Sequence, residues 1–111
     1  VERPDLSISI HRTEADEAVL SLVGEIDMLT AAGLSARVGE ALLDCPSRVV
    51  LDMSGVTFCD SQGLGTLVVL SRKAASAQSV LVLANVRDFL LRVLDITGLR
   101  SALIVADHTP S

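Results

Sequence analysis

VVLDMSGVTFCDSQGLGTLVVL, residues Val49 to Leu70, is the stretch that decides how this chain folds. Its first part, with Arg48 in front of it, is a continuous Val- and Leu-rich run, as expected of a central strand with helices covering its faces. From Ser61 onward the pattern changes to that of a helix. The junction is Asp60-Ser61, a carboxylate and a hydroxyl at the point where either can cap the orphan N–H groups of a first helical turn. Gly63 and Gly65 stand in that turn, although glycine in a helix interior costs about 1 kcal/mol relative to alanine. A cap, worth about as much, gives no reason for two glycines. They leave the surface around the hydroxyl flat and open to the backbone of another protein, which points to a serine that is itself a substrate.

The helix predicted over Ser61 to Ala77 carries its apolar stripe on Leu64, Leu67, Val68, Ser71 and Ala75. SVLVLA, Ser79 to Ala84, reads as a second central strand. A further helix starts at Val86, with Asn85 as N-cap and Asp88 three residues on. Phe89, Leu90, Val93 and Leu94 face inward, and Gly98 takes the left-handed C-cap position. ALIVA, Ala102 to Ala106, is the last strand. The polar tail Asp107 to Ser111 contains a proline and is expected to fray. Upstream, Leu6, Ile8 and Ile10 alternate with Ser7, Ser9 and His11, the period of a half-buried outer strand. A polar turn over Thr13 to Glu17 leads to AVLSLVG, a second strand joined by a hairpin. Leu34, Val38, Ala41 and Leu42 then mark one face of a helix that Thr30 or Asp27 caps and that stops before Cys45-Pro46.

Two strands followed by three helix–strand repeats predict a single α/β domain, a mostly parallel mixed sheet flanked by helices. The domain covers residues 1–111, with its core over about 6–106. No linker, repeat or low-complexity segment divides it.

Composition narrows the function. With a formal net charge of -5, the chain is ill suited to neutralising a phosphate backbone, and with two phenylalanines as its only aromatics it offers no platform for stacking bases. Nucleic acid is not an expected partner. The apolar runs fall far short of the roughly 20 residues that span a membrane, and no charged-then-apolar signal segment opens the chain, so a cytoplasmic location is expected. Cys45 and Cys59 are not spaced for metal or redox work and read as two small buried thiols, with a regulatory disulfide as the alternative. Acidic residues and histidines are dispersed, so no metal or cofactor is expected.

Enzymatic readings of Ser61 fare poorly. A hydrolase elbow needs G-x-S-x-G, whereas Cys59 stands two before the serine, and the only histidines, His11 and His108, lie on the first strand and in the tail. Val68 occupies the place of the third glycine of a dinucleotide loop. A small serine-dependent enzyme therefore lacks its base, and no catalytic residue is assigned.

GEIDMLTA, VVLDMSGVTFCDSQGLGTLVVL and VLDITGL, in this order, resemble the STAS-domain anti-anti-sigma factors, the bacterial anti-sigma factor antagonists. The similarity covers nearly the whole chain, and D-S-x-G-L-G is its most specific element. The resemblance implies a STAS-like fold and a partner-switching protein. Its unphosphorylated form binds an anti-sigma factor with serine kinase activity and releases the sigma factor. Phosphorylation at Ser61 by that kinase switches binding off, and a PP2C-type phosphatase reverses it. The resemblance further implies a partner-binding surface made of Asp27, Asp60, Ser61, Gln62, Gly63, Leu64 and Gly65. Gln62 stands where many relatives carry a second hydroxyl residue. Relatives also commonly end in a further amphipathic helix, where this chain has only DHTPS after Ala106; a shortened chain and a domain that dispenses with the helix both fit. The alternative within the fold is a STAS scaffold or transporter-associated subunit that no serine kinase regulates.

Overall fold

Leu6, Ile8 and Ile10 turn one way and Ser7 and Ser9 the other, and this two-residue period builds the edge strand β1 (Leu6–Arg12). The computed structural model describes residues 6–106; the tail expected to fray lies outside the described residues. β1 pairs antiparallel with β2 (Glu17–Ile26), Ile8 opposite Leu22. From there the chain steps across the sheet in one direction. Helix α1 (Ala31–Leu42) leads to β3 (Arg48–Cys59), α2 (Ser61–Ser76) to β4 (Leu81–Ala84), and α3 (Asp88–Thr97), with a 3-10 turn over Leu99–Ala102, to β5 (Ile104–Val105). The strand order is β1-β2-β3-β4-β5, and β2 through β5 are parallel.

Right-handed crossovers that advance in one direction place every connecting helix on the same side of the sheet. Burial agrees: Leu20, Leu22, Val49, Leu51, Met53, Leu81 and Leu83 form one core with Leu34, Val38, Leu67, Leu70, Leu90 and Leu94 of the three helices. The apolar runs in β3 and β4 suggest helices over their faces; the described helices cover one face only, and Val19, Val50 and Val82 on the other do not join this core.

Other expectations shift for local reasons. The buried stripe of α2 is Gly63, Leu64, Leu67, Leu70 and Ala74, not one that ends on Ser71 and Ala75, because Gly63 packs against the end of β2 and turns the helix. Asn85 is not an N-cap. It sits at φ 57 beyond β4, where its Nδ2 donates to Asp52 Oδ1 at 3.1 Å, and Arg87 takes the N-cap position of α3. With α3 starting at Asp88, its fully buried residues are Leu90 and Leu94, and Phe89 points outward. Gly98 closes the helix at φ 77, as its position implies. The last strand shrinks to two residues because Leu99–Ala102 coils first. Cys45 is exposed rather than buried and Cys59 is buried; both are free thiols.

Candidate functional site

The start of α2 is built by Asp60. Its extended backbone (φ -91, ψ -175) ends β3, and its carboxylate accepts the Gly63 N–H at 2.8 Å. The Asp60 carbonyl accepts the Leu64 N–H at 2.9 Å, and the Asp60 N–H donates to the Ile26 carbonyl at 3.2 Å. Of the two residues able to cap, the acid does so. Ser61 becomes the first helical residue, exposed, and among the described residues its hydroxyl makes no hydrogen bond. The neighbouring hydroxyls differ. Thr57 donates to the Gly24 carbonyl at 3.3 Å and Thr66 to the Gln62 carbonyl at 2.9 Å.

The two glycines part company. A Cβ on Gly63 would overlap the Ile26 carbonyl oxygen and come within 2.9 Å of both Cys59 Sγ and Ile26 Cγ2, so this glycine is buried packing, not exposed surface. A Cβ on Gly65 meets nothing within 4 Å. Leu64 turns into the core. Of the residues assigned to the surface, Ser61, Gln62 and Gly65 face outward, whereas Gly63 and Leu64 face inward and shape the turn from beneath.

Asp27 joins the site through the backbone, since the Ile26 carbonyl preceding it receives the Asp60 N–H. Its carboxylate accepts the N–H groups of Leu29 (2.9 Å) and Thr30 (3.1 Å), an Asx turn that enters α1. Thr30 holds the N-cap position without capping: its hydroxyl donates to the Glu25 carbonyl at 2.9 Å and accepts the Asp27 N–H at 3.0 Å. The tip so fixed displays Met28 and Leu29, both about two-thirds exposed. Beside Ser61 a groove of about 360 Å³ runs between α1 and α2, lined by Ser35, Ser61, Gln62, Gly65, Thr66 and Val69. Sequence reasoning missed Ser35, Met28, Leu29 and Val69. Two apolar residues between GEID and the first helix were the available signal for the tip; Ser35 and Val69 meet only because α1 packs on α2. A larger groove, about 390 Å³ between β1 and α1, shares Leu29 and Thr30 with the tip after Asp27 but none of the residues that line the groove beside Ser61.

Among the described residues the site holds a hydroxyl with no free base beside it. Asp60 is occupied as a cap, and His11 lies on β1, opposite Val19. Burial, and then the charge of Asp60, push the Cys59 thiol up to about 12, so it stays protonated and unreactive. Among the described residues nothing is placed to activate the Ser61 hydroxyl.

The family model for the Mlab, STAS domain matches residues 10–105. This chain is a STAS-domain protein of the anti-sigma factor antagonist family. It is 43% identical over 80 residues to the anti-sigma-F factor antagonist RsfB of Mycobacterium tuberculosis, a match that takes in 69% of this chain and 66% of that one, just under two-thirds of the relative's length. It is 36% identical over 99 residues to the anti-sigma-B factor antagonist of Listeria monocytogenes, covering 86% and 83% of the two chains. The crystal structure of an anti-sigma factor antagonist from Mycobacterium paratuberculosis superposes with a TM-score of 0.79 at 26% identity over 92% of this STAS domain and 86% of that chain. These relatives carry the names of regulators, not of enzymes. No described helix of this STAS domain is long and apolar enough to cross a membrane.

Proposed function

We propose that this STAS domain binds an anti-sigma factor with serine kinase activity through the surface around Ser61, and that phosphorylation of Ser61 switches the binding off. The observation that carries the reading is the contrast between three hydroxyls. Ser61 is exposed at a helix start, with no hydrogen bond from its hydroxyl among the described residues, while Thr57 and Thr66 are tied to backbone carbonyls. The surface comprises Asp27, Asp60, Ser61, Gln62 and Gly65, with Gly63 and Leu64 supporting it from inside. A phosphate at a helix N-terminus is favoured by free N–H groups and the helix dipole, so the fold tolerates it. Within a docked interface the added charge, roughly -1.5 to -2, placed beside Asp60, disrupts by repulsion and desolvation. A PP2C-type phosphatase restores the binding form. The protein acts in the cytoplasm as a non-enzymatic regulator.

The experiment is capture of partners by immobilised Ser61→Ala protein, followed by incubation of wild type with the captured kinase and ATP. One phosphate, mapped to Ser61, is expected. Phosphate on Thr57 or Thr66 that persists in Ser61→Ala overturns the assignment.

A further inference from the structure

The sheet face away from the helices carries a row of side chains that crosses all five strands in register. His11 pairs with Val19, Val19 with Val50, Val50 with Val82, and Val82 with Ile104. The three valines lie outside the core that the helices cover; Val19 and Val50 are half-buried among their neighbours on the sheet, Val82 is 8% exposed, and Ile104 is 49% exposed. Higher on the same face stand Val23, 58% exposed, and Phe58, 46% exposed. Around the valines the residues are small, with Ser9, Ser21, Asp52 and Ala84 forming the next row. Strands spaced about 4.8 Å apart make this a face of several hundred Å², of the order of the ~800 Å² per partner that a standard interface buries.

Charge settles what fits it. Along β3 the outward residues are Arg48, Val50 and Asp52, which read basic, apolar, acidic at alternate positions. Reversed, the pattern is its own complement. If a second copy lies face to face with its β3 antiparallel, on a two-fold axis running along the valine row, Val50 meets Val50 and each Arg48 meets the other copy's Asp52. A two-fold interface requires this self-complementarity. Arg48 has a half-exposed side chain, held beside Glu17 of its own chain at 3.4 Å. Asp52 is oriented by the Ser54 N–H at 3.1 Å and by Asn85. We infer that the face of the sheet that no described helix covers is a homodimer interface, closed by the Val19–Val50–Val82 row and by reciprocal Arg48–Asp52 pairs. The dimer leaves Ser61, at the start of a helix on the other face, free.

Sedimentation equilibrium of the whole chain, from micromolar to near-millimolar concentration, should show a monomer–dimer equilibrium. Arg48→Glu and Asp52→Arg should each raise the dissociation constant about tenfold or more, because each turns both intermolecular pairs into repulsions. Mixing the two variants should restore association, since every pair across a mixed dimer again joins opposite charges, one in the native sense and one with its signs exchanged. Ser61→Asp should leave the constant unchanged. A wild-type chain that is monomeric throughout overturns the inference, as does a dimer that survives both single substitutions or a mixture that fails to associate while each variant remains folded by circular dichroism.

Discussion

Ile26 and Gly63 are in contact across the site: the carbonyl oxygen of Ile26 accepts the Asp60 N–H and fills the space in which a Cβ on residue 63 would lie. This one contact ties the end of β2, and with it the Asp27 turn, to the helix that begins at Ser61. Backbone opposes the added methyl here, so relief requires α2 to move. Gly63→Ala should lower stability by about 1–3 kcal/mol, the usual cost of overpacking. Urea unfolding checks it, and a midpoint equal to wild type contradicts the packing.

Gly65→Ala should behave in the opposite way. The position is helical and open, so alanine should raise stability by about 0.4–1 kcal/mol through helix propensity and a less flexible unfolded chain. Dissociation from the captured kinase should nevertheless quicken, because the methyl enters the groove beside Ser61. Melting temperature and off-rate measured on the same sample test both halves. An unchanged off-rate removes Gly65 from the docking surface.

Asp60→Ala removes a cap with a defined geometry. The loss should be about 0.5–2 kcal/mol, and Asp60→Asn should recover most of it, since an amide oxygen also accepts the Gly63 N–H. Equal destabilisation by both substitutions would show that charge, not the hydrogen bond, matters at this helix start.

Ser61→Asp and Ser61→Glu should weaken kinase binding by about 1 kcal/mol or more while leaving the melting temperature near wild type, because a carboxylate at a helix N-terminus is favourable. Calorimetric titration paired with a thermal melt separates the two effects. Early cooperative melting would assign the lost binding to unfolding.

Asp52 supplies a pH dependence. Burial raises its pKa, but the hydrogen bonds from the Ser54 backbone, from Asn85 and from the Ser54 side chain outweigh that effect and hold the carboxyl below its ordinary value of 3.8. The folded state thus binds this proton less readily than the unfolded one. The resulting stability is present at neutral pH and is lost as pH falls below the unfolded value and through the folded one. Asp52→Asn should flatten this part of the acid limb of a stability–pH curve and leave its slope above about pH 5 unaltered. An acid limb identical to wild type would show that Asp52 is not among the groups protonated on acid unfolding.

Much of the molecule was legible in the residue pattern because its signals are local. Two-residue alternation in β1, the Val- and Leu-rich runs of β3 and β4, the i, i+4 spacing of Leu34 and Val38, and the glycine after Thr97 each depend on neighbours within a turn or two. The D-S-x-G-L-G motif likewise pointed to Ser61 without coordinates. What it left ambiguous was the division of labour: which of Asp60 and Ser61 caps, and which glycine serves packing. That depends on Ile26, which lies 37 positions before Gly63 in the chain and reaches it only through β2–β3 pairing. The rotation of α2, the outward turn of Phe89 and the exposure of Cys45 also depend on contacts between elements. The face of the sheet that no described helix covers is the clearest case. An apolar run such as VVL shows that side chains alternate between two faces, but the direction in which the crossovers advance decides whether helices cover both or one.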